Sequence, residues 1–469
     1  MIGFASSLVT GSATGIAAAV GAGTVTARAV IDAALGRIEA LDPKVNAFTD
    51  VLASRARATS DAVDGKRLRG EPPGKLAGVP FAVKNLIDVA GLPTRAGSKI
   101  NRESEPATQD AALVRRLEAA GAVLIGALNM GEYAYDFTGE NVHDGPSRNP
   151  HALDHMSGGS SGGSGAAVAA GLVPLALGSD TNGSIRVPSA LCGIFGLKPT
   201  FGRLTRAGSF PFVGSLDHLG PLARSVVDLA VAYDAMQGGD PAEPMTMLHV
   251  PELVLPLLDA RTEGLRIAIA GGYFERQGEP EVFAAVERVA RALDAKTTIE
   301  LPEVARARAA AYVITAAEGA ELHLGRLRAR PGDFDPAVRD RLFAGATIPA
   351  AWVIRAQRFR RWFQQQVHKI FDAVDVILAP ATPSRAPRIG QTTFAFDGKV
   401  LPVRPNLGIF TQPLSFIGLP VVLVPIWLDA GGLPMGVQIV APPWHEARAL
   451  QVARRLEREG IARAPVAKL

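Results

Sequence analysis

Residues 158–200 read GGSSGGSGAAVAAGLVPLALGSDTNGSIRVPSALCGIFGLKPT. Two serines of this stretch, Ser160 and Ser184, stand in glycine-framed settings on either side of an apolar run. Small residues from Gly165 to Gly171 predict a short helix, and Leu172 to Gly178 predicts the strand after it. A helix feeding a buried strand is the α/β pattern. The glycines around both serines let backbone N–H groups come close to a substrate oxygen.

Serine is a poor nucleophile until a base takes its proton. A candidate base lies upstream: Lys84, in GVPFAVKNLIDVAG (78–91). A lysine can act so only if burial lowers its pKa from the ordinary value of about 10.4. The mostly apolar run Val79 to Val89 leads us to expect that burial. Three glycine-framed elements, one lysine and two serines, suggest acyl transfer by a Ser-Ser-Lys relay.

The same alternation continues outward. Ala27 to Glu39 has helical spacing and is expected to end near Asp42-Pro43. Gly78 to Ile87 reads as a strand running into the lysine turn. Asp110 to Ala120 reads as a helix and Ala122 to Leu128 as a buried strand. Gly264 to Gly271 predicts a strand and Glu281 to Leu293 the helix after it. Val304 to Phe371 is mostly helical in pattern. Val374 to Ala379, Pro420 to Pro425 and Met435 to Val440 read as strands, and Trp444 to Arg458 as the last helix. No repeat period stands out. Gly238 to Pro244 reads as a surface connection, but apolar patterning resumes at once, so residues 1–469 are expected to form one domain.

Composition narrows the class. The chain has 469 residues, of which 48% are hydrophobic and 20% charged, a core-forming balance. The net charge is only +4, from 49 basic and 45 acidic side chains, and the basic residues are scattered. A nucleic-acid partner finds no support in that pattern. A single cysteine, Cys192, excludes an internal disulfide and fits a reducing, cytoplasmic setting. No run of about 18 uncharged, strongly apolar residues predicts a membrane span. Met1 to Thr26 lacks the positive n-region of a secretory signal and reads as a short extension before the first helix.

Several site readings compete with the relay. Gly158-Gly159-Ser160-Ser161-Gly162 fits a G-x-S-x-G elbow, which needs a strand just before the serine. Residues 149–156 do not read as a strand. His151 and His155 lie four apart, the spacing of a helical metal pair. Pro150 and the glycines that follow predict a loop, so these histidines read as solvated or hydrogen-bonding side chains. The glycines match neither the phosphate-cradling P-loop nor the dinucleotide fingerprint. No metal or other cofactor is called for. Arg186, two residues after Ser184, is a candidate for a substrate carboxylate through a bidentate pair; a structural ion pair with Asp180 is the equal alternative. Arg203 and Arg206 are open in the same way.

Taken together the blocks at 78–91, 158–208 and 418–447 resemble the amidase signature family, over nearly the whole chain. The resemblance implies a single α/β domain, a twisted mixed sheet covered by helices on both faces. It implies Ser184 as nucleophile, Ser160 as the bridging serine after a cis peptide, and Lys84 as buried base. The backbone at Thr181, Asn182, Gly183 and Ser184 would form the oxyanion loop. Two positions depart from the family pattern. Asn182-Gly183 replaces the usual Gly-Gly, and Asn tolerates a left-handed φ if the turn needs one. Asn85 replaces the commoner Asp after the lysine, removing a charge that would favour its protonated form.

The phrases KNLIDVAG, DTNGSIRVPS and AGSFPFVGSLDHLGP resemble a narrower branch, the 1-carboxybiuret hydrolases of cyanuric acid breakdown. That branch implies hydrolysis of a small carboxylated ureide with release of ammonia. It also implies a homodimeric core and a small helical accessory subunit. A broad-specificity amidase and the amidase subunit of a glutamine-dependent tRNA amidotransferase are the alternatives. A catalytically dead binding subunit is disfavoured, because all three positions of the relay are filled.

Overall fold

The strand Leu175–Asp180 lies inside the main sheet, fourth of its eleven strands and buried along its whole length. On one side it pairs in parallel with Pro80–Lys84, and on the other antiparallel with His218–Ala223. The computed structural model describes residues 2–429 and 431–469, the side chains of residues 2–4 and 6 excepted. Eleven strands form one mixed sheet. Across it run Phe48–Val51, Val123–Leu128, Pro80–Lys84, Leu175–Asp180, His218–Ala223, Phe195–Lys198, Val421–Ile426, Met435–Val440, Val376–Pro380, Ile267–Ala270 and Thr297–Ile299. Eight of these are buried at every position, as expected of strands covered on both faces. Helices pack against the sheet, and the fold is the α/β class that the sequence predicts.

Several boundaries moved. The first predicted helix runs through Pro43 and spans Ala27–Val45. It stops where Asn46 turns left-handed (φ 57°) and the Asp42 carboxylate accepts the N–H groups of Ala47 and Phe48. Residues 2–21 are not an extension. They form the helices Ile2–Val9 and Ala13–Gly21, while Met1 lies outside the described residues. The Asp228 carboxylate receives Ala13 N and Thr14 N at 2.9 and 3.0 Å, tying that second helix start to the core. The stretch Val304 to Phe371 divides into three helices, Val304–Ala329, Pro336–Ala346 and Ala350–Ile370. Residues 149–156, read as a loop, hold the short strand Ala152–Met156, paired with Arg148–Asn149 in a separate ribbon. The strands Phe48–Val51, Phe195–Lys198, His218–Ala223 and Thr297–Ile299 were not predicted.

The small-residue helix spans Gly162–Ala169, three residues earlier at its start than expected. Close approach explains the run of glycines. A Cβ on Gly163 would lie 2.5 Å from Ala47 O and 2.6 Å from Asn129 O, both fixed main chain. The helix therefore rests directly on neighbouring backbone. Gly163→Ala should cost about 1–3 kcal/mol through overpacking, read as a lower urea midpoint. An unchanged midpoint would show that the contact yields freely.

Candidate active site

Two parallel neighbours, Pro80–Lys84 and Leu175–Asp180, end side by side, so their last residues meet at one edge of the sheet. Lys84 is fully buried there. Its Nζ lies 2.6 Å from Ser160 Oγ and 2.9 Å from Ser179 Oγ. Burial pushes its pKa down to about 7; Asp180, Asp217 and Asp136 push upward but do not cancel the loss of solvent. A buried lysine flanked only by hydroxyls can accept a proton near neutral pH. Asn85 keeps a further charge away and is occupied locally, its Oδ1 accepting Gly97 N at 3.0 Å.

Ser160 follows a cis peptide from Gly159, the geometry implied by the family resemblance. Its main chain is held by Gly131 N, which donates to Ser160 O at 3.1 Å. Ser184 is 2% exposed and opens onto a cleft. No hydrogen bond joins Ser160 Oγ to Ser184 Oγ among the described residues, so of the expected relay the Lys84–Ser160 link is present and the Ser160–Ser184 link is open.

Thr181, Asn182, Gly183 and Ser184 bridge the central strand and the helix Arg186–Cys192. None of their four N–H groups has an acceptor among the described residues. Four unspent, consecutive donors beside a serine are an arrangement able to hold an oxyanion. The loop itself is tightly held. Thr411 Oγ1 donates to Asn182 O at 2.8 Å, and Val187 N donates to Gly183 O at 2.7 Å. Gly183 takes φ +145°, and a Cβ there would meet Thr411 Oγ1 at 2.2 Å. Asn182 does not adopt the left-handed conformation that its tolerance would allow; the turn is made at Gly183 alone.

Arg186 does not face a substrate. It is fully buried, and each of its five N–H groups has a protein acceptor. Nε and Nη2 grip Asp180 at 2.9 and 3.0 Å, and Nη2 also donates to Ser415 Oγ. Nη1 donates to Thr411 O at 3.1 Å and Gln438 Oε1 at 2.6 Å. Burial would raise the Asp180 carboxyl, but the Arg186 charge and its hydrogen bonds outweigh it and hold the group well below the usual carboxylate range. The structural ion pair is therefore the reading that stands, and the substrate role for Arg186 falls. Arg203 and Arg206 are paired as well, with Glu446 and Glu243.

A narrow cleft lies beside Ser184, with about 10 Å³ of free space. Ser184, Thr181 and Asn182 line it together with Tyr135, Phe212, Tyr312, Thr315, Arg341 and Gln412. Polar groups set among aromatic side chains are a lining that orients a small polar molecule. Ser179, Thr411, Gln412 and Arg341 escaped the sequence reading. Ser179 sits in GSD beside the nucleophile block and was in view; the other three come from segments far along the chain and carry no local signal. His151 precedes the strand Ala152–Met156 and His155 lies within it, so the two do not share a helix face. No group of three or more His, Cys, Asp or Glu among the described residues is placed to hold a metal ion.

If Arg186 is structural, Arg186→Gln should destabilise the fold by about 3–5 kcal/mol, because Asp180 would remain buried without its partner. A urea titration checks this. Normal stability with a raised KM would return Arg186 to the substrate.

The amidase family model matches residues 29–450. AtzE, a 1-carboxybiuret hydrolase subunit of Pseudomonas sp. (strain ADP), is 53% identical over 445 residues, 95% of this chain and 97% of its own. One subunit of the glutamyl-tRNA(Gln) amidotransferase of Anaeromyxobacter sp. (strain K) is 38% identical, over 94% of each chain. A solved structure described as a vestigial protein complex revealing the evolutionary origins of an s-triazine catabolic enzyme superposes with a TM-score of 0.95 at 52% identity. That match covers 98% of this chain and 100% of the other. With matches of this extent, the chain belongs to the amidase signature family and is an amide C–N hydrolase.

Proposed function

We propose that this amidase hydrolyses a small carboxylated ureide, 1-carboxybiuret or a near analogue, and releases ammonia. The substrate class rests on the 53% identity to a 1-carboxybiuret hydrolase subunit. The observation that carries the chemistry is the 2.6 Å contact between buried Lys84 and Ser160. In this reading neutral Lys84 takes the Ser160 proton while Ser160 takes that of Ser184. Ser184 Oγ then attacks the terminal amide carbon. The N–H groups of residues 181–184 hold the oxyanion. The protons return along the relay to the departing nitrogen, which leaves as ammonia. Water, deprotonated by the same relay, splits the acyl-enzyme into a carboxylate product and free Ser184.

We read residues 1–469 as one amidase-signature domain working in the cytoplasm, where the single buried Cys192 needs no oxidising environment. A homodimeric core with a small helical accessory subunit completes the proposal. The helix Ala350–Ile370 supports a protein partner: it carries four arginines and one lysine, no acidic residue, and exposes Trp352 and Ile354 at 57% and 61%.

Ammonia release from 1-carboxybiuret, generated in place from its precursor, tests the substrate with the chain alone and with its accessory subunit. Brisk hydrolysis of bulky aryl amides with none of 1-carboxybiuret would move the protein to the broad-specificity amidases. Glutaminase activity dependent on an aminoacyl-tRNA partner would move it to the amidotransferases. Ser184→Ala should abolish turnover and leave the urea midpoint unchanged.

The base has a pH signature. Below about 7 Lys84 becomes protonated in the folded enzyme and can no longer accept. Activity should therefore plateau above neutrality and fall about tenfold per pH unit on the acid side. Lys84→Arg should be as inactive as Lys84→Ala, since guanidinium stays protonated. A flat profile down to pH 5 would sink the relay.

A further inference from the structure

The loop that carries Ser184 is held at its far end by the Arg186–Asp180 pair and by Thr411, which receives Asn182 O. Its first free donor, Thr181 N–H, belongs to a residue with a different anchor. Thr181 Oγ1 donates to Asp217 Oδ1 at 2.6 Å. Asp217 stands directly before the strand His218–Ala223, and His218 pairs with Asp180 across the sheet. That register brings Asp217 opposite Thr181, just past the last paired residues of the two strands.

The same carboxylate holds a second segment. Its Oδ2 accepts Phe212 N at 2.8 Å and Val213 N at 2.9 Å. Phe212 lines the cleft beside Ser184, its ring centre 4.8 Å from that of Tyr135. One side chain thus ties the loop of free donors to an aromatic wall of the cleft. All three of its partners donate, so a carboxylate suits them and an amide would turn its own N–H toward at least one.

The charge of Asp217 is also unusual in its setting. Three carboxylates, Asp180, Asp217 and Asp136, favour the protonated form of Lys84. Asp180 is paired with Arg186 and Asp136 with Arg404. No lysine or arginine lies within ion-pair distance of Asp217 among the described residues, and Arg206, whose charge bears on it, is paired with Glu243. Burial pushes the Asp217 pKa up, and its hydrogen bonds and Arg206 offset only part of that. An anion kept without a cation is costly. Its field is correspondingly less screened, and it favours the lysinium that forms when Lys84 takes a proton.

We propose that Asp217 is a positioning residue of the hydrolysis: it fixes the Thr181 end of the reactive loop against the Phe212 wall, and its charge steadies Lys84 once that lysine has accepted the proton. The inference rests on the reading of Lys84, Ser160 and Ser184 as the relay and adds a residue that touches none of the reacting atoms.

The test follows ammonia release by the full-length protein from 1-carboxybiuret, or from butyramide should that be the better substrate. Asp217→Asn keeps the shape and removes the charge. It should lower kcat about tenfold to hundredfold, the range for losing a charged hydrogen bond, with KM changed far less. It should also move the acid limb of the kcat profile to lower pH, because Lys84 gives up its proton more readily when an anion is removed. Thr181→Val keeps the N–H and removes the hydroxyl; it should lower kcat, and Thr181→Ser should restore it. A role confined to folding would lower the urea midpoint of Asp217→Asn while its kcat and acid limb stayed those of the wild type, and that result would overturn the proposal. Unchanged kcat in Thr181→Val would do the same, even should Asp217→Asn fail to fold. Inactive Ser184→Ala and Lys84→Ala beside a wild-type-like Asp217→Asn would remove this inference alone, whereas an active Ser184→Ala would remove the relay and this inference with it.

Discussion

One buried ion pair holds the reactive loop in place. Asp180 ends the central strand, Arg186 begins the next helix, and the two grip each other across the turn that contains Ser184. The other donors of Arg186 reach Thr411, Ser415 and Gln438, so two distant segments converge on one guanidinium. Taking both charges out of water is costly, and a pair broken at one end is worse than no pair. The arrangement is consequently all-or-none, and a turn that carries four unsatisfied N–H groups needs such support. Left to itself a backbone with free donors would rearrange to satisfy them.

The same dry interior acts differently on lysine. Arginine stays charged when buried, whereas lysine gives up its proton. Lys84 shows this beside two hydroxyls, and Lys198, also fully buried, is likewise pushed down to about 7, by burial first and then by the charge of Arg186. The division of labour follows from chemistry. A permanent cation braces the loop, and a titratable one stands beside the hydroxyls of Ser160 and Ser179.

Much of this was legible in the chain. The apolar run before Lys84 foretold its burial, and the glycine-framed serines foretold their setting, because both signals are local. Central strands were legible for the same reason. The unpredicted strand Thr297–Ile299 is short and exposed at the edge, while Phe195–Lys198 and His218–Ala223 carry glycine, proline or charge that breaks the pattern. Arg186 could not be settled from sequence, since its acceptors Thr411, Ser415 and Gln438 lie more than two hundred residues away. Arg341 was silent for a related reason. It sits in a helix with a second arginine, Arg339, where one more looks like a solvated one.

The cradle beside Ser184 is made of main-chain N–H groups, and every residue type but proline supplies one. Its chemistry is thus insulated from drift in side chains, while the facing wall is assembled from side chains at 135, 182, 312, 341 and 412. Inheritance can therefore rewrite what the cleft accepts, one wall residue at a time, without rewriting what is done to it. A family built this way should diversify in diet far faster than in reaction.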